Sequence, residues 1–360
     1  MIPVTRPYLP NKSTYDTYLT GVWERNWLTN NGPLLNEFEL KLKSYLHLKH
    51  LLVVNNGTIA LQIAIKCLDL KGEIITTPFS YVATSSSIVW EGCKPVFVDI
   101  DENTLNINSA LIEAAITENT SAILATHCFG NACNIDAIQD IASRNNIKVI
   151  YDAAHCFGST YNEKSIFEYG DISTLSLHAT KILHSVEGGA VISKDPEIIK
   201  KVSRLRNFGH DGPEKFSGVG INAKNSEVHS AMGLAVLTDI DQILERRKSQ
   251  CEYYDELLQG LKVKKQHVQE GCTINYSYYP IIFKDEIQLL KSKKALEAQR
   301  IFPRRYFYPS LDRLHYVHSE KMEVANSIAS RILCLPLFHT LRKEEQKLIA
   351  RILLRTQNYG

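Results

Sequence analysis

Five short apolar runs punctuate the first half of the chain: Leu51–Val54, Glu73–Thr77, Pro95–Asp99, Ala122–Thr126 and Lys148–Tyr151. Turns and stretches of helical apolar spacing separate them, at 34–46, 59–68, 78–91 and 134–144. Strands this apolar must be covered on both faces. A chain alternating such strands with helices meets that demand by laying the strands parallel and packing helices on either side. The pattern therefore predicts an α/β fold built on a mostly parallel sheet. Further strands are expected at 174–177 and 190–193, with a helix over 196–207. A loop follows at 210–220, where four of eleven residues are Gly or Pro. The last third reads as one long helix over 228–258, a strand over 276–283, a helix over 287–299, a short apolar run at 333–337 and a closing helix over 342–354. At 360 residues the chain exceeds one small core. The expected division is a large domain over 1–245 and a smaller α+β domain over 246–360.

Charge narrows the partners. Forty-one Lys and Arg stand against thirty-nine Asp and Glu. Net charge thus implies no attraction to nucleic acid or to a membrane surface. No run approaches the ~20 apolar residues of a spanning helix, and the first residues lack the apolar core of an export signal. Eight scattered cysteines without a Cys-x-x-Cys pair read as reduced thiols. These features point to a cytoplasmic protein. His127, Cys128 and Cys133 sit close together, but a structural zinc site needs four ligands at tight spacing and no fourth is near, so no metal is expected.

The chemistry concentrates at two strand ends. One apolar strand ends in Asp152, within Val149-Ile-Tyr-Asp-Ala-Ala-His155. Twenty-nine residues on, Lys181 lies between the run Thr174–Leu177 and the glycine pair Gly188–Gly189. A lone lysine is usually a solvated surface cation. Here an acid and an amine are delivered to one edge of a sheet, where open α/β folds bind ligands. Pyridoxal phosphate chemistry uses such a pair: the lysine forms a Schiff base, and the carboxylate keeps the pyridine nitrogen protonated so that the ring acts as an electron sink. Upstream, Asn55-Asn-Gly57-Thr58 joins a strand to a helix and makes an anion site. Thr58 stands where a hydroxyl either caps that helix or meets a phosphate.

Asp152-Ala-Ala-His155, Ser176-Leu-His-Ala-Thr-Lys181, Glu187-Gly-Gly189 and Gly220-Ile-Asn-Ala-Lys-Asn-Ser-Glu227 together resemble the DegT/DnrJ/EryC1/StrS sugar aminotransferases. The likeness runs in order over nearly the whole chain. It implies the aspartate aminotransferase fold (type I), a pyridoxal 5′-phosphate cofactor passing through pyridoxamine 5′-phosphate, and catalysis by Lys181 and Asp152. By the same resemblance Gly57, Thr58 and Ser176 hold the cofactor, Tyr81 stacks on its ring and His155 lies against it. Asn222 reaches a partner subunit's phosphate, which implies a homodimer with shared sites. Thr29, His178, Arg304, Arg305 and Tyr306 are implied at the substrate side, although the two arginines read equally as surface ion-pair partners. The implied reaction moves an amino group from glutamate to a nucleotide-linked 4-keto-6-deoxyhexose of the viosamine type, in making amino sugars for surface polysaccharide. A 3-keto isomer and a non-catalytic cofactor-binding regulator are the alternatives.

Overall fold

The computed structural model describes residues 1–317 and 319–359. The elements run β1 (Ile2–Pro3), α1 (Lys12–Arg25), α2 (Pro33–Tyr45), β2 (Leu51–Val54), α3 (Gly57–Cys67), β3 (Glu73–Thr76), α4 (Ala83–Trp90), β4 (Lys94–Phe97), β5 (Thr120–Thr126), α5 (Ile135–Asn145), β6 (Lys148–Asp152), a hairpin of β7 (Thr160–Tyr161) and β8 (Lys164–Ser165), β9 (Ile172–Ser176) and β10 (Gly189–Ile192). They continue through α6 (Pro196–Leu205), α7 (Glu227–Thr238), α8 (Ile240–Leu257), β11 (Cys272–Thr273), β12 (Pro280–Ile282), α9 (Glu286–Ala298), β13 (Ile301–Phe302), α10 (Glu323–Arg331), β14 (Ile332–Cys334) and α11 (Lys343–Tyr359).

Seven strands form the central sheet in the order β2-β10-β9-β6-β5-β3-β4. Only β10 runs against its neighbours, so the sheet is mostly parallel as expected. Apolar layers cover both faces. Phe38, Leu42, Ile123, Tyr151 and Leu175 lie in one, and Val54, Ile65, Leu124, Ile150 and Val191 in the other. Neighbouring residues of β5 and β6 alternate between the layers, the period-2 signature of strands buried on both sides. The helices start where their caps predict. Asn56 accepts the Ile59 N–H, Asn134 that of Ala137 and Asp195 that of Glu197, while Pro33 and Pro196 occupy first-turn positions needing no N–H.

A second core gathers Tyr254, Leu258, Ile281, Phe283, Leu289, Leu333 and Leu353. Helix α8 links the two, with Ile240 and Ile243 in the first core and Cys251 and Tyr254 in the second. The helix expected over 228–258 breaks at Asp239, which ends α7 and opens α8 and whose carboxylate accepts the Tyr8 hydroxyl at 2.9 Å. The first residues reach the second core: β1 pairs parallel with β13, and Ile2 is buried there. Among the described residues no helix is long and apolar enough to cross a membrane.

Candidate active site

The register of the sheet builds the site. Thr126 of β5 pairs with Asp152 of β6, and Asp152 with Thr174 of β9, so the acid sits at the C-terminal edge among parallel strands. Its backbone is held from both sides: the His127 N–H reaches the Asp152 carbonyl, and the Ala153 N–H reaches that of Thr174. The side chain is buried. Its Oδ2 accepts the Thr84 hydroxyl at 2.8 Å and its Oδ1 the Ala154 N–H at 3.2 Å. Burial pushes the carboxyl pKa up, while these two donors and the Lys181 charge pull the other way.

Lys181 follows β9 on a closed loop. At its base the Leu177 N–H donates to Gly188 O at 2.8 Å and the Ser185 N–H to Leu177 O at 2.9 Å, and the Ala179 N–H meets Val186 O at 2.8 Å. The glycine pair is a packing requirement. A Cβ on Gly189 would stand 2.5 Å from the Asn56 carbonyl carbon and 2.8 Å from Gly57 N, inside the turn that precedes α3. Gly189→Ala is expected to force β10 away from that turn, at a cost of about 1–3 kcal/mol. The checks are a lower Tm and faster loss of bound cofactor from the purified protein.

Lys181, His155, Ser176, Thr180, Asn275, Ser277 and Tyr278 line a small pocket. Burial lowers the Lys181 amine to about 8, against the smaller upward pull of Asp152. A neutral amine is the nucleophile. The rate at which apoprotein takes up pyridoxal phosphate should therefore climb with pH through about 8 and level off above it, rather than climbing toward 10.5. Stopped-flow absorbance at a series of pH values measures this.

His155 accepts the Phe129 N–H at Nδ1 (3.3 Å), which places the ring proton on Nε2. Burial, with the Lys181 charge second, holds its pKa well below the usual value and keeps the ring neutral. Gly57 and Thr58 open α3, and because Asn56 caps the Ile59 N–H, their own N–H groups remain at the helix end. Gly57 lies so close to Ser176 that an added Cβ would stand 3.1 Å from the serine Cβ. Tyr81 projects from the loop before α4 with 60% of its surface exposed. Burial first, then Tyr278, pushes the Tyr306 phenol up to about 12.

The remaining sequence candidates lie elsewhere. His178 turns onto its own loop, Nδ1 2.8 Å from the Thr180 hydroxyl and Nε2 3.6 Å from the Glu187 carboxylate. Arg305 is already engaged: it donates to Glu286 at 2.6 Å and to Ser330 O at 2.8 Å, and lies 3.6 Å from the Tyr308 ring centre. Arg304 stays exposed, with its backbone bridged to Cys334. Asn222 is exposed and accepts from Lys224 Nζ at 2.8 Å. Lys224 lines a separate surface pocket with Asn30, Asn31, Asn207 and Phe208. Thr29, next to Asn30, is exposed, and its loop is tied to α7 where the Glu227 N–H meets Leu28 O. Thr29 and Asn222 thus line neither wall of the Lys181 pocket. His127 is buried, accepts the Cys133 N–H at 3.0 Å and is lowered to about 3 by burial. Among the described residues no group of three or more His, Cys, Asp or Glu is placed to hold a metal.

Sequence reasoning missed Thr84 and Tyr278. A run of hydroxyl residues, Thr84-Ser-Ser-Ser87, at the start of the helix that follows β3 was the available signal for the first. Tyr278 packs edge-on against His155 at 4.9 Å and Tyr306 at 5.6 Å.

Residues 11–354 match the model of the DegT/DnrJ/EryC1/StrS aminotransferase family. The chain belongs to that family. Its relatives include a dTDP-4-amino-4,6-dideoxy-D-glucose transaminase from Shigella dysenteriae, 42% identical over 95% of each chain. Another of that name, from Escherichia coli, is 38% identical over 98% of each. Among solved structures, DesI in the presence of its TDP-sugar product superposes with a TM-score of 0.94 at 28% identity, covering 99% of this chain and 93% of that one. The fold is therefore that of pyridoxal phosphate-dependent sugar aminotransferases, type I, and the protein is an aminotransferase using that cofactor. The structure fits the group: a free helix N-terminus whose first glycine packs tightly against Ser176, a buried amine with its pKa lowered to about 8, and a carboxylate with directed donors.

Proposed function

We propose that this aminotransferase moves the amino group of glutamate to dTDP-4-keto-6-deoxyglucose, giving dTDP-4-amino-4,6-dideoxyglucose. The observation that carries the reading is the 42% identity, across 95% of both chains, to a transaminase named for that amino sugar. The geometry supports its chemical half. When bound, pyridoxal phosphate supplies the carbonyl carbon that accepts the amino group and the ring that stores the electron pair. Lys181 Nζ, held near neutrality by burial, takes the proton from the donor carbon and returns it on the other side of the reaction. Asp152 places a negative charge against the ring nitrogen. Gly57, Thr58 and Ser176 hold the phosphate, Tyr81 covers one ring face and His155 offers its Nε2 proton to the ring's phenolic oxygen. Tyr306 and Arg304 stand at the substrate side. The large and small domains divide within α8, near residue 245, which sets the pocket between Lys181 and Tyr278 at their junction.

The protein works as a homodimer in this proposal. Phe208, Ile221 and Val219 are exposed apolar groups beside Asn222, and Trp90 is 81% exposed on α4. A second copy covering them would bring Asn222 to its partner's phosphate. Mixing Lys181→Ala with Asn222→Ala protein should then restore activity that neither shows fully alone, because one site in each mixed dimer is intact. Recovery absent under conditions of subunit exchange would sink the shared site.

The direct test is an absorbance spectrum before and after glutamate, then after dTDP-4-keto-6-deoxyglucose. The cofactor's visible band should bleach with glutamate and return with the sugar. Bleaching without return would keep the aminotransferase and reject this sugar, favouring a 3-keto isomer.

A further inference from the structure

Asp152 stands at the end of a row of buried hydroxyls drawn from three separate elements. Thr84, in the first turn of α4, donates to Asp152 Oδ2 at 2.8 Å. Ser80, in the loop between β3 and α4, lies 2.7 Å from the Thr84 oxygen. Thr126, at the end of β5, donates to Ser80 at 3.0 Å. Thr126, Ser80 and Thr84 are 3%, 2% and 0% exposed, so water does not compete for these bonds.

A hydroxyl has one proton to give, and an ionised carboxylate only accepts. With Thr84 committed to Asp152, the bond between Ser80 and Thr84 can only run from Ser80 to Thr84. The three protons then all point toward the acid. Hydrogen bonds aligned in this way polarise one another, and bonds to an ionised acceptor are roughly twice as strong as neutral ones. The titratable groups acting on the acid from its surroundings are Lys181 on the loop after β9 and Cys156 on the segment after β6, with His155 beside Lys181. Burial keeps the histidine and the thiol neutral. Lys181 also gives up its positive charge in the reaction cycle. The hydroxyls and the Ala154 N–H are therefore the donors that stay with the carboxylate throughout.

We propose that Thr84, Ser80 and Thr126 are positioning residues that hold Asp152 ionised and oriented toward the cofactor's ring nitrogen. The inference rests on the aminotransferase reading but not on the identity of the sugar. Its consequence is electronic. If the carboxylate loses its Thr84 donor it becomes more basic, and the proton it shares with the ring nitrogen moves toward the acid. A less positive ring withdraws fewer electrons from the imine bond to Lys181, so that group holds its own proton to higher pH.

The experiment compares cofactor-loaded wild type with Thr84→Val, Thr84→Ser and Ser80→Ala. Each is titrated with pH while the visible cofactor band is followed, and kcat and KM for glutamate are measured. Thr84→Val should move the midpoint of the band to higher pH by about half a unit or more and lower kcat about tenfold, with KM within about twofold. Thr84→Ser keeps the donor and should restore both. Ser80→Ala removes only the second donor, so it should shift the midpoint the same way by less; it also carries the test should the valine variant fail to fold. An unmoved midpoint in a folded, loaded Thr84→Val or Ser80→Ala protein overturns the proposal. So does Thr84→Ser behaving like Thr84→Val, which would make the threonine methyl a packing group and nothing more. A wild type that shows no cofactor band at all would instead defeat the assignment of Lys181, a result distinguishable from either.

Discussion

Lys181→Ala should lower the rate of amino transfer by roughly four orders of magnitude while the protein still folds and still retains pyridoxamine phosphate. The size follows from two functions lost together. In the proposed mechanism the amine is the covalent attachment point and the group that moves the proton, a role that by itself is worth roughly 10²–10⁴. Retention follows because the groups proposed to hold the phosphate, at the start of α3, and the acid at the end of β6 belong to other elements. Folding should survive because the loop carrying Lys181 is closed by backbone bonds between Leu177, Ala179, Ser185, Val186 and Gly188, none using the lysine side chain. Single-turnover kinetics with glutamate and cofactor content after dialysis separate the two halves of the expectation. Normal turnover in this variant would remove the basis for the whole site.

Much of this site was legible because it lies where strands end. Apolar runs fix strands, strands fix the sheet, and the residue that stops each run lands at the ligand edge, so Asp152 and the Lys181 loop could be read directly. The turn that opens α3 was legible through its cap and glycine. What could not be read depends on register between distant strands. Thr126 and Ser80 are ordinary hydroxyl residues in the sequence. They meet because β5 sits between β3 and β6, with Thr126 level with Asp152 and two residues beyond the end of β3. Tyr278 fell in a stretch read as a strand that is strand only over Pro280–Ile282, and the chain leading into it comes back to line the Lys181 pocket. The hidden role of Arg305 has the same origin, since its partners Glu286 and Ser330 lie on two other elements. The break at Asp239 escaped notice because the apolar spacing continues across it. A local pattern carries faces, not the tertiary bond from Tyr8 that fixes the interruption.

Asp152→Asn is the second large effect, and it tells charge apart from shape. The amide is nearly isosteric and its oxygen can still accept the Thr84 hydroxyl or the Ala154 N–H, so folding and cofactor retention should change little. What disappears is the negative charge. Without it the ring nitrogen loses the partner that keeps it protonated, and kcat should fall by roughly 10³ with a much smaller change in KM, the pattern of an interaction needed in the transition state rather than in binding. The same substitution makes a second, oppositely signed statement about Lys181. Burial lowers that amine to about 8 and the Asp152 charge opposes the lowering. Removing the charge leaves burial unopposed, so the pH midpoint for cofactor uptake should move below about 8, and at pH 7 the variant apoprotein should load faster than wild type. A variant that loads faster yet turns over far more slowly cannot be explained by disorder in the site, which would slow both. If loading and turnover fell together, Asp152 would be holding the pocket's shape and the electrostatic role assigned to it would be wrong.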